Sequence, residues 1–385
     1  MLLQLAVGPA LIALKGHAAP EVERAYTRAR ELCERLGNPA ELFPALFGLW
    51  LVYGVRGEFR TAYEFAEQLL RRVQTALDPV LLAYAEFAFG SGSFFLGESL
   101  LGREHLERAI ALYDPERHRP LTSRYGGVDI AVHCSGWAAR ILWHLGYPDQ
   151  AFKRANEALV LAQALSHPLS LAVAEFWVGL LRQYRREIHG VQETMEVVIT
   201  LCVENGFPDW WAFATILYGS AVAQRGRHEE GIAQIGKGLA ALRATGTELG
   251  VPYVLCLLAE AFMETGRLGE GLGALAQALA AANEHEERFY EAEIHRLKGE
   301  LLLRQDHSKI AEAQSCFQRA IEIARNQSAK SLELRATMSL ARLLAKQDHR
   351  DEARAMLSKI YIWFTEGFDT ADLKDAKTLL DELAG

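Results

Sequence analysis

The sequence is poor in the features that mark secreted, membrane and nucleic-acid-binding proteins. Its 385 residues include five cysteines, which lie far apart and form no Cys-x-x-Cys pair, so we expect reduced thiols in a cytoplasmic protein. The longest uncharged apolar stretch, residues 43–55, is shorter than the roughly 20 residues that a membrane span requires. No basic segment precedes the apolar N-terminus, so no secretory signal is expected. With 41 Lys and Arg against 49 Asp and Glu, the chain lacks the basic excess that non-specific nucleic-acid binding needs.

Catalytic and cofactor motifs are also missing from the sequence. There is no Gly-x-x-x-x-Gly-Lys-Ser/Thr phosphate loop, no His-Glu-x-x-His motif, and no histidine paired with a cysteine at metal-ligand spacing. The glycine-rich residues 269–273 follow no strand and stand where equivalent helices carry Ala, so helix packing explains them. We therefore expect a protein that is not an enzyme and that holds no metal or cofactor.

What the sequence does contain is a long internal repeat. Most turns are followed by a helix with three small or apolar residues spaced four and three apart, which places them on one face. Small residues there let a second helix approach closely, which is the tetratricopeptide pattern of antiparallel pairs that stack to bury their apolar faces. The turn residues recur at spacings of 40, 49, 40, 40, 40 and 40: Gly57, Gly97, Gly146, Arg186, Gly226, Gly266 and Asp306.

The repeat predicts an all-α fold, a right-handed superhelical α-solenoid of tetratricopeptide-type helical hairpins. Its period of about 40 residues exceeds the usual ~34. We expect a single domain over residues 1–385, with nine hairpins and a C-terminal helix that caps the exposed apolar end. The expected hairpins are residues 1–37, 38–77, 78–113, 123–166, 167–206, 207–245, 246–285, 286–327 and 328–366, and the cap covers residues 370–383.

The 49-residue step holds a surplus segment, residues 113–127, with two Pro, two Gly and a cluster of Arg and His. One interpretation is a solvated loop between repeats. The other is a lid or contact loop over the groove, because functional residues concentrate on loops carried by rigid scaffolds.

The first helix of each hairpin is expected to line the concave surface, and counting from the turn residues indicates which side chains point inward. A broad aromatic groove would mark a contact site, whereas a tighter superhelix would bury the same rings as core; both alternatives stay open. The early repeats give the tentative binding groove: Tyr84, Phe87, Phe94, His133, Arg140, Trp143, Phe176, Tyr184 and Phe213. The late repeats give a charged set, expected to be solvated surface with pairs such as Glu300 with Arg304: Glu260, Glu264, Glu293, Arg296, Glu300, Arg304, Arg335 and Arg342.

Four stretches resemble a known family, and together with the repeat the resemblance extends over essentially the whole chain. They are residues 127–152, 227–262, 288–303 and the closing segment 363–383, WFTEGFDTADLKDAKTLLDEL, which is the most specific of them. They are similar to the C-terminal tetratricopeptide region of large bacterial signalling proteins. In these proteins an adenylate/guanylate cyclase-like domain or a transcription-activator module precedes a STAND-type predicted ATPase. The resemblance implies an array that senses an inducer or partner and controls the ATPase and output modules, and it supplies no catalytic residues.

Two functional hypotheses follow for such a scaffold. The first is a regulatory scaffold that binds a protein or peptide along its concave groove. The second is a small-molecule sensor, in which an inducer enters among the aromatic repeats. An open trough would favour the first hypothesis, and an enclosed cavity among the aromatic residues would favour the second.

Overall fold

The computed structural model describes residues 2–37, 39–76 and 78–384, and these contain α-helices, short 3₁₀ turns and no strand. The predicted all-α solenoid of tetratricopeptide-type hairpins is confirmed. In chain order the helices are α1 (Leu2–Lys15), α2 (Pro20–Leu36), α3 (Pro39–Val55), α4 (Phe59–Ala76), α5 (Pro79–Phe95), α6 (Ser99–Ala111), α7 (Pro115–His118), α8 (Ile130–His144), α9 (Pro148–Leu165), α10 (Pro168–Tyr184), α11 (Ile188–Asn205), α12 (Pro208–Gln224), α13 (His228–Ala244), α14 (Val251–Glu264), α15 (Leu268–Glu284), α16 (Glu291–Gln305), α17 (Ile310–Asn326), α18 (Lys330–Lys346), α19 (Arg350–Tyr361) and α20 (Ala371–Ala384). Within the described ranges, no helix combines the length and the apolar character needed to cross a bilayer.

The repeated turn residues end the first helix of each pair by adopting a left-handed backbone. The φ angles of Gly57, Gly97 and Gly146 are 79°, 89° and 90°, in a region that glycine enters without a side-chain clash. Arg186 takes the same role with a φ of 63°. Asp306 departs from the pattern with a φ of −157°, because an extra 3₁₀ turn, His307–Lys309, follows it.

Small residues allow the paired helices to approach to backbone contact. A Cβ built on Gly90 of α5 would lie 2.9 Å from the carbonyl oxygen of Gly102 in α6. The same close approach recurs between Gly219 of α12 and Gly231 of α13, where the corresponding distance is 2.8 Å. The predicted small-residue positions are therefore the points at which the helices of a hairpin cross.

The superhelix is tight enough for successive turns to contact each other. The C-terminal carbonyls of α3, α5 and α8, which have no partner within their own helices, accept hydrogen bonds from the residues that precede or begin α14, α16 and α18. The concave faces of the early repeats are thus covered by the late repeats. The hydrogen bonds are Glu248 N–H to Val55 O at 3.0 Å, Arg288 N–H to Phe95 O at 2.7 Å, and Ser331 Oγ–H to Trp143 O at 2.5 Å.

Glu287 connects two of these inter-turn segments from a buried position. Its Oε2 accepts a hydrogen bond from the backbone N–H of Gly250 at 3.1 Å, and its Oε1 has no hydrogen-bond partner. Burial raises the pKa of the Glu287 carboxyl to about 8.

This raised pKa predicts that the protein loses stability as the pH rises from 4.5, the ordinary value, towards 8. In that window the folded chain keeps a proton on Glu287 that the unfolded chain releases. The contribution of Glu287 to the free energy of unfolding is therefore full below pH 4.5 and is lost as the pH passes 8. Glu287→Gln should flatten the dependence of the urea midpoint on pH, and profiles of equal slope would contradict the prediction.

The surplus segment between α6 and α8 folds back onto the scaffold. Tyr125 is buried, with its ring centroid 5.3 Å from that of Phe47 and 4.3 Å from that of Tyr84. His118 of α7 is also buried. The segment is therefore only in part a solvated loop, since Tyr125 and His118 supply part of the interior while Arg117, Arg119 and Arg124 are exposed.

The C-terminal segment packs α20 on α18 and α19 and reaches back to the middle of the chain. Glu366 accepts hydrogen bonds from the backbone N–H groups of Asp149 and Gln150, both at 3.0 Å, at the start of α9. Arg185, at the end of α10, contacts Asp369 at 3.2 Å.

Candidate binding cavities between turns of the superhelix

The nine residues of the tentative groove do not form an open aromatic wall. His133 and Phe213 are half-buried, and the others are covered by neighbouring repeats or by the next superhelical turn. For these the alternative of a packed core applies, because the superhelix closes on itself. The buried members are Tyr84, Phe87, Phe94, Arg140, Trp143, Phe176 and Tyr184.

The side chain of Arg140 is part of the packed interior. Only 7% of the residue is exposed, and its Nε donates to the Tyr184 hydroxyl at 3.0 Å. The guanidinium carbon lies 4.3 Å from the ring centroid of Phe289 and 5.4 Å from that of Phe94, so it packs between successive superhelical turns. Among the described residues it makes no ion pair with a carboxylate.

Trp143 is likewise part of the packing. Its ring stacks on Tyr184 with centroids 4.3 Å apart, and the guanidinium of Arg335 lies 4.9 Å from its ring centroid. Arg335 comes from α18, so this contact also joins the early and late repeats.

A partly enclosed cavity of about 130 Å³, called here the apolar pocket, lies between the early repeats and α12. Three predicted residues, Phe87, His133 and Phe213, line it, and Tyr125 closes one side. Aromatic and aliphatic side chains dominate its wall. The apolar pocket is defined by His17, Phe47, Trp50, Leu51, Gly54, Val55, Phe59, Ala62, Phe87, Phe95, Tyr125, His133, Trp137, Asp209, Trp210, Phe213 and Thr247.

The polar residues that line the apolar pocket include His17, His133 and Asp209. The Nδ1 of His17 lies 2.9 Å from Oδ2 of Asp209, and Thr245 donates its hydroxyl to Oδ1 of Asp209 at 3.3 Å. His133 packs on Phe87 with ring centroids 4.8 Å apart, and its ring nitrogens have no partner among the described side chains. Burial and the nearby His17 lower the pKa of His133 to about 3, so the imidazole is neutral.

A second and larger cavity of about 530 Å³, the polar cleft, lies among the late repeats. It extends from α10 to α20 and shares no lining residue with the apolar pocket. The polar cleft is defined by Gln183, Arg186, Ser220, Gln224, Glu260, Glu264, Tyr290, Glu293, Arg296, Ser339, Arg335, Arg342, Asp372 and Asp375.

Buried ion pairs fix the floor of the polar cleft. Arg296 donates Nε and Nη2 to the two carboxylate oxygens of Glu293 at 2.9 and 2.6 Å. Arg335 donates Nε to Asp372 at 2.7 Å and Nη2 to the Tyr184 carbonyl at 2.8 Å. Although burial acts to raise it, the pKa of Glu293 is lowered by Arg296 and Arg335. The expectation of plain solvated surface is wrong for these residues, because neighbouring repeats cover them.

Other groups in the polar cleft remain available to a ligand. Glu260 is half-buried, and burial together with nearby Glu293 raises the pKa of Glu260 to about 7, so the cleft changes charge near neutral pH. Arg342 is exposed and makes no ion pair within the described ranges.

The predicted pairing of Glu300 with Arg304 is replaced by contacts with neighbouring repeats: Arg304 contacts Glu264 at 3.2 Å, while Glu300 accepts a hydrogen bond from Ser339 at 2.6 Å.

Some cavity residues escaped the sequence-based counting. Trp210 stands one helical turn before Phe213, so extending the count by three positions reaches it. His17 and Asp209 lie in a connection and in the first turn of a helix, where the repeat pattern makes no assignment. In the part of the chain that the structure describes, no group of three or more His, Cys, Asp and Glu is placed to hold a metal ion.

No family model matches this chain. A curated relative, the uncharacterized protein R02095 of Rhizobium meliloti (strain 1021), is 24% identical over 340 residues. The match covers 88% of this chain and 33% of the relative, so the chain spans about a third of that protein's length.

Solved structures share the architecture at low sequence identity. A Rap protein complexed with competence and sporulation factor superposes with a TM-score of 0.64 and 13% identity, covering 99% of this chain and 98% of that chain. A human IFIT1 dimer with m7Gppp-AAAA gives 0.50 and 15% identity, covering 90% and 78%. A STAND protein with a tetratricopeptide repeat sensor from Pyrococcus horikoshii gives 0.44 and 13% identity, covering 95% and 55%. The similarities to the Rap protein and to IFIT1 show the fold alone.

Proposed function

We propose that this chain is a non-catalytic regulatory scaffold that binds an extended segment of a protein or peptide in the polar cleft. The observation that carries the proposal is the cleft itself, about 530 Å³ in volume and lined by charged side chains of both signs on rigid helices. That volume falls within the roughly 300–1,000 Å³ of ligand sites in proteins.

The chemistry of the polar cleft suits a polypeptide better than a small apolar molecule. The Oε1 of Gln183 accepts from Tyr253 and the Nε2 of Gln224 donates to Ser220, which leaves the other amide atom of each to pair with a peptide backbone. Arg342 offers an unpaired cation for an acidic side chain. Because Glu293 and Arg296 are already paired, this pair needs no reorganisation when a partner enters.

The C-terminal helix makes the polar cleft a regulatory site as well as a binding site. Asp375 of α20 contacts Arg186 of the α10–α11 connection at 2.6 Å, and Asp372 contacts Arg335 at 2.7 Å. A partner carboxylate that takes over either arginine would loosen α20 and signal that the cleft is occupied.

The module under control is proposed to be a STAND-type ATPase with a cyclase or transcription-activator output. The support is the resemblance of residues 363–383 and the greater length of the Rhizobium meliloti relative. The Rap protein of similar fold, complexed with competence and sporulation factor, supports the use of this architecture to hold a bound partner.

Site-specific photo-cross-linking tests the proposal. A photoreactive phenylalanine replaces Gln224, which is exposed in the polar cleft, and the intact chain is irradiated in native lysate. We expect a polypeptide to be captured, and Arg342→Ala to reduce its yield in the same background. Mass spectrometry of the cross-linked product identifies the partner.

The matched control carries the same photoreactive group at Gln277, which is exposed on α15 and lines neither cavity. Capture from Gln224 alone supports binding in the cleft. Equal capture from both positions, or no polypeptide from either, would rule against the proposed function.

A further inference from the structure

We propose that the apolar pocket is a second, separate binding site for a small uncharged molecule with an apolar ring system and one hydrogen-bonding group. The site goes beyond the proposed function, because no lining residue is common to the apolar pocket and the polar cleft. Its ligand is recognised by ring contacts and by the imidazole of His133.

The size and lining of the apolar pocket determine the class of ligand. A cavity of about 130 Å³ suits one or two fused rings, since an engineered apolar cavity of ~150 Å³ holds benzene. Phe47, Trp50, Phe87 and Trp210 surround it, and aromatic walls of this kind favour flat apolar ligands through offset and edge contacts.

The charges around the pocket exclude an ionic ligand. The imidazole of His17 is engaged with Asp209 at 2.9 Å, so neither group is a free counter-ion. His133 is neutral and has no protein hydrogen-bond partner among the described residues. His133 is half-buried and lines the pocket, so its ring nitrogens are free to bond to a hydroxyl, N–H or carbonyl group of a ligand.

A ligand in the apolar pocket would contact helices from different parts of the superhelix. Phe87 and His133 come from α5 and α8, whereas Phe213 and Thr247 come from α12 and the α13–α14 connection. A bound ring would bridge these two parts of the superhelix and stabilise the closed form, so binding is expected to raise the melting temperature in a concentration-dependent way.

Indole is a suitable probe because it has two fused rings and a single N–H donor. We expect saturation-transfer NMR to detect indole bound to the intact chain, and indene, the hydrocarbon of the same shape, to bind about three- to tenfold more weakly. Indole-3-acetate, which adds a carboxylate, is expected not to bind because the pocket offers that charge no partner.

Two variants locate the probe. Gly54→Leu fills the pocket without a backbone clash, because a Cβ at Gly54 meets only the Cβ of Ala62, at 3.9 Å. It should abolish indole binding, while Gly273→Leu on α15, where nothing lies within 4 Å, should leave it unchanged. His133→Phe should reduce the affinity for indole to that for indene and leave indene binding intact.

The outcomes separate this inference from the proposed function. No indole binding to the folded wild-type chain, or binding that survives in Gly54→Leu, would overturn it whatever the cross-linking shows. Loss of the Gln224 cross-link in Gly54→Leu, with no indole binding to the wild type, would assign the pocket to a side chain of the polypeptide partner and would also overturn it.

Discussion

Gly219→Leu is expected to lower the free energy of unfolding by more than ~3 kcal/mol, beyond the usual range for an enlarged core residue. A Cβ at Gly219 would lie 2.8 Å from the carbonyl oxygen of Gly231 and 2.8 Å from the backbone nitrogen of Ile235. Both atoms belong to the backbone of α13, which cannot move aside as the end of a flexible side chain can. The two helices would have to separate, and the hairpin would lose its packing.

The comparison variant is Gly236→Leu, on the partner helix α13. A Cβ at Gly236 has no heavy atom within 4 Å, so the larger side chain meets open space and gains up to ~1 kcal/mol in helix propensity. Urea denaturation followed by circular dichroism measures both variants. Equal midpoints for Gly219→Leu and the wild type would show that the α12–α13 crossing is placed incorrectly.

The helices and turns of each hairpin could be predicted because residues close to them in the sequence determine them. The 40-residue spacing of Gly57, Gly97 and Gly226, with its one 49-residue step, reflects turns that need a left-handed residue, and their positive φ angles agree. Only Asp306 departs from this rule, where a 3₁₀ turn adds residues that no periodicity anticipates.

The closure of the superhelix could not be predicted in the same way. Counting from the turns identifies which side chains face inward. The late repeats bury these side chains through contacts such as that of Ser331 with Trp143, which are 188 positions apart in the sequence. The pitch that brings them together is the sum of small rotations at every hairpin. For this reason the sequence left the groove and core alternatives open for Phe94 and Tyr184.

The ion pairs and hydrogen bonds around the polar cleft follow a spacing in the sequence that a search for i,i+4 pairs does not detect. Arg304 contacts Glu264 across 40 positions, and Ser339 contacts Glu300 across 39, which is about one repeat. Polar pairs at the repeat spacing connect equivalent positions on adjacent first helices. A search at that spacing would have predicted the pairs between repeats in place of the pair of Glu300 with Arg304.

Arg140→Ala is expected to destabilise the fold by about 3–5 kcal/mol, in the range for truncating large buried side chains. The substitution removes the guanidinium that packs 4.3 Å from the Phe289 ring centroid and 5.7 Å from that of Tyr253. It also leaves the buried hydroxyl of Tyr184 without its donor. The cavity would lie between two superhelical turns, where both sides are anchored by their own hairpins and cannot collapse to fill it.

Arg140→Met separates the role of volume from the role of charge. Methionine restores most of the apolar stem, and replacing a buried charge by a well-packed apolar group is often neutral. We therefore expect Arg140→Met to recover much of the stability that Arg140→Ala loses. If instead both variants are destabilised equally, the cation–π contacts of the guanidinium hold the turns together. If Arg140→Ala unfolds at the wild-type midpoint, the side chain does not bridge the turns, and the closed superhelix is wrong.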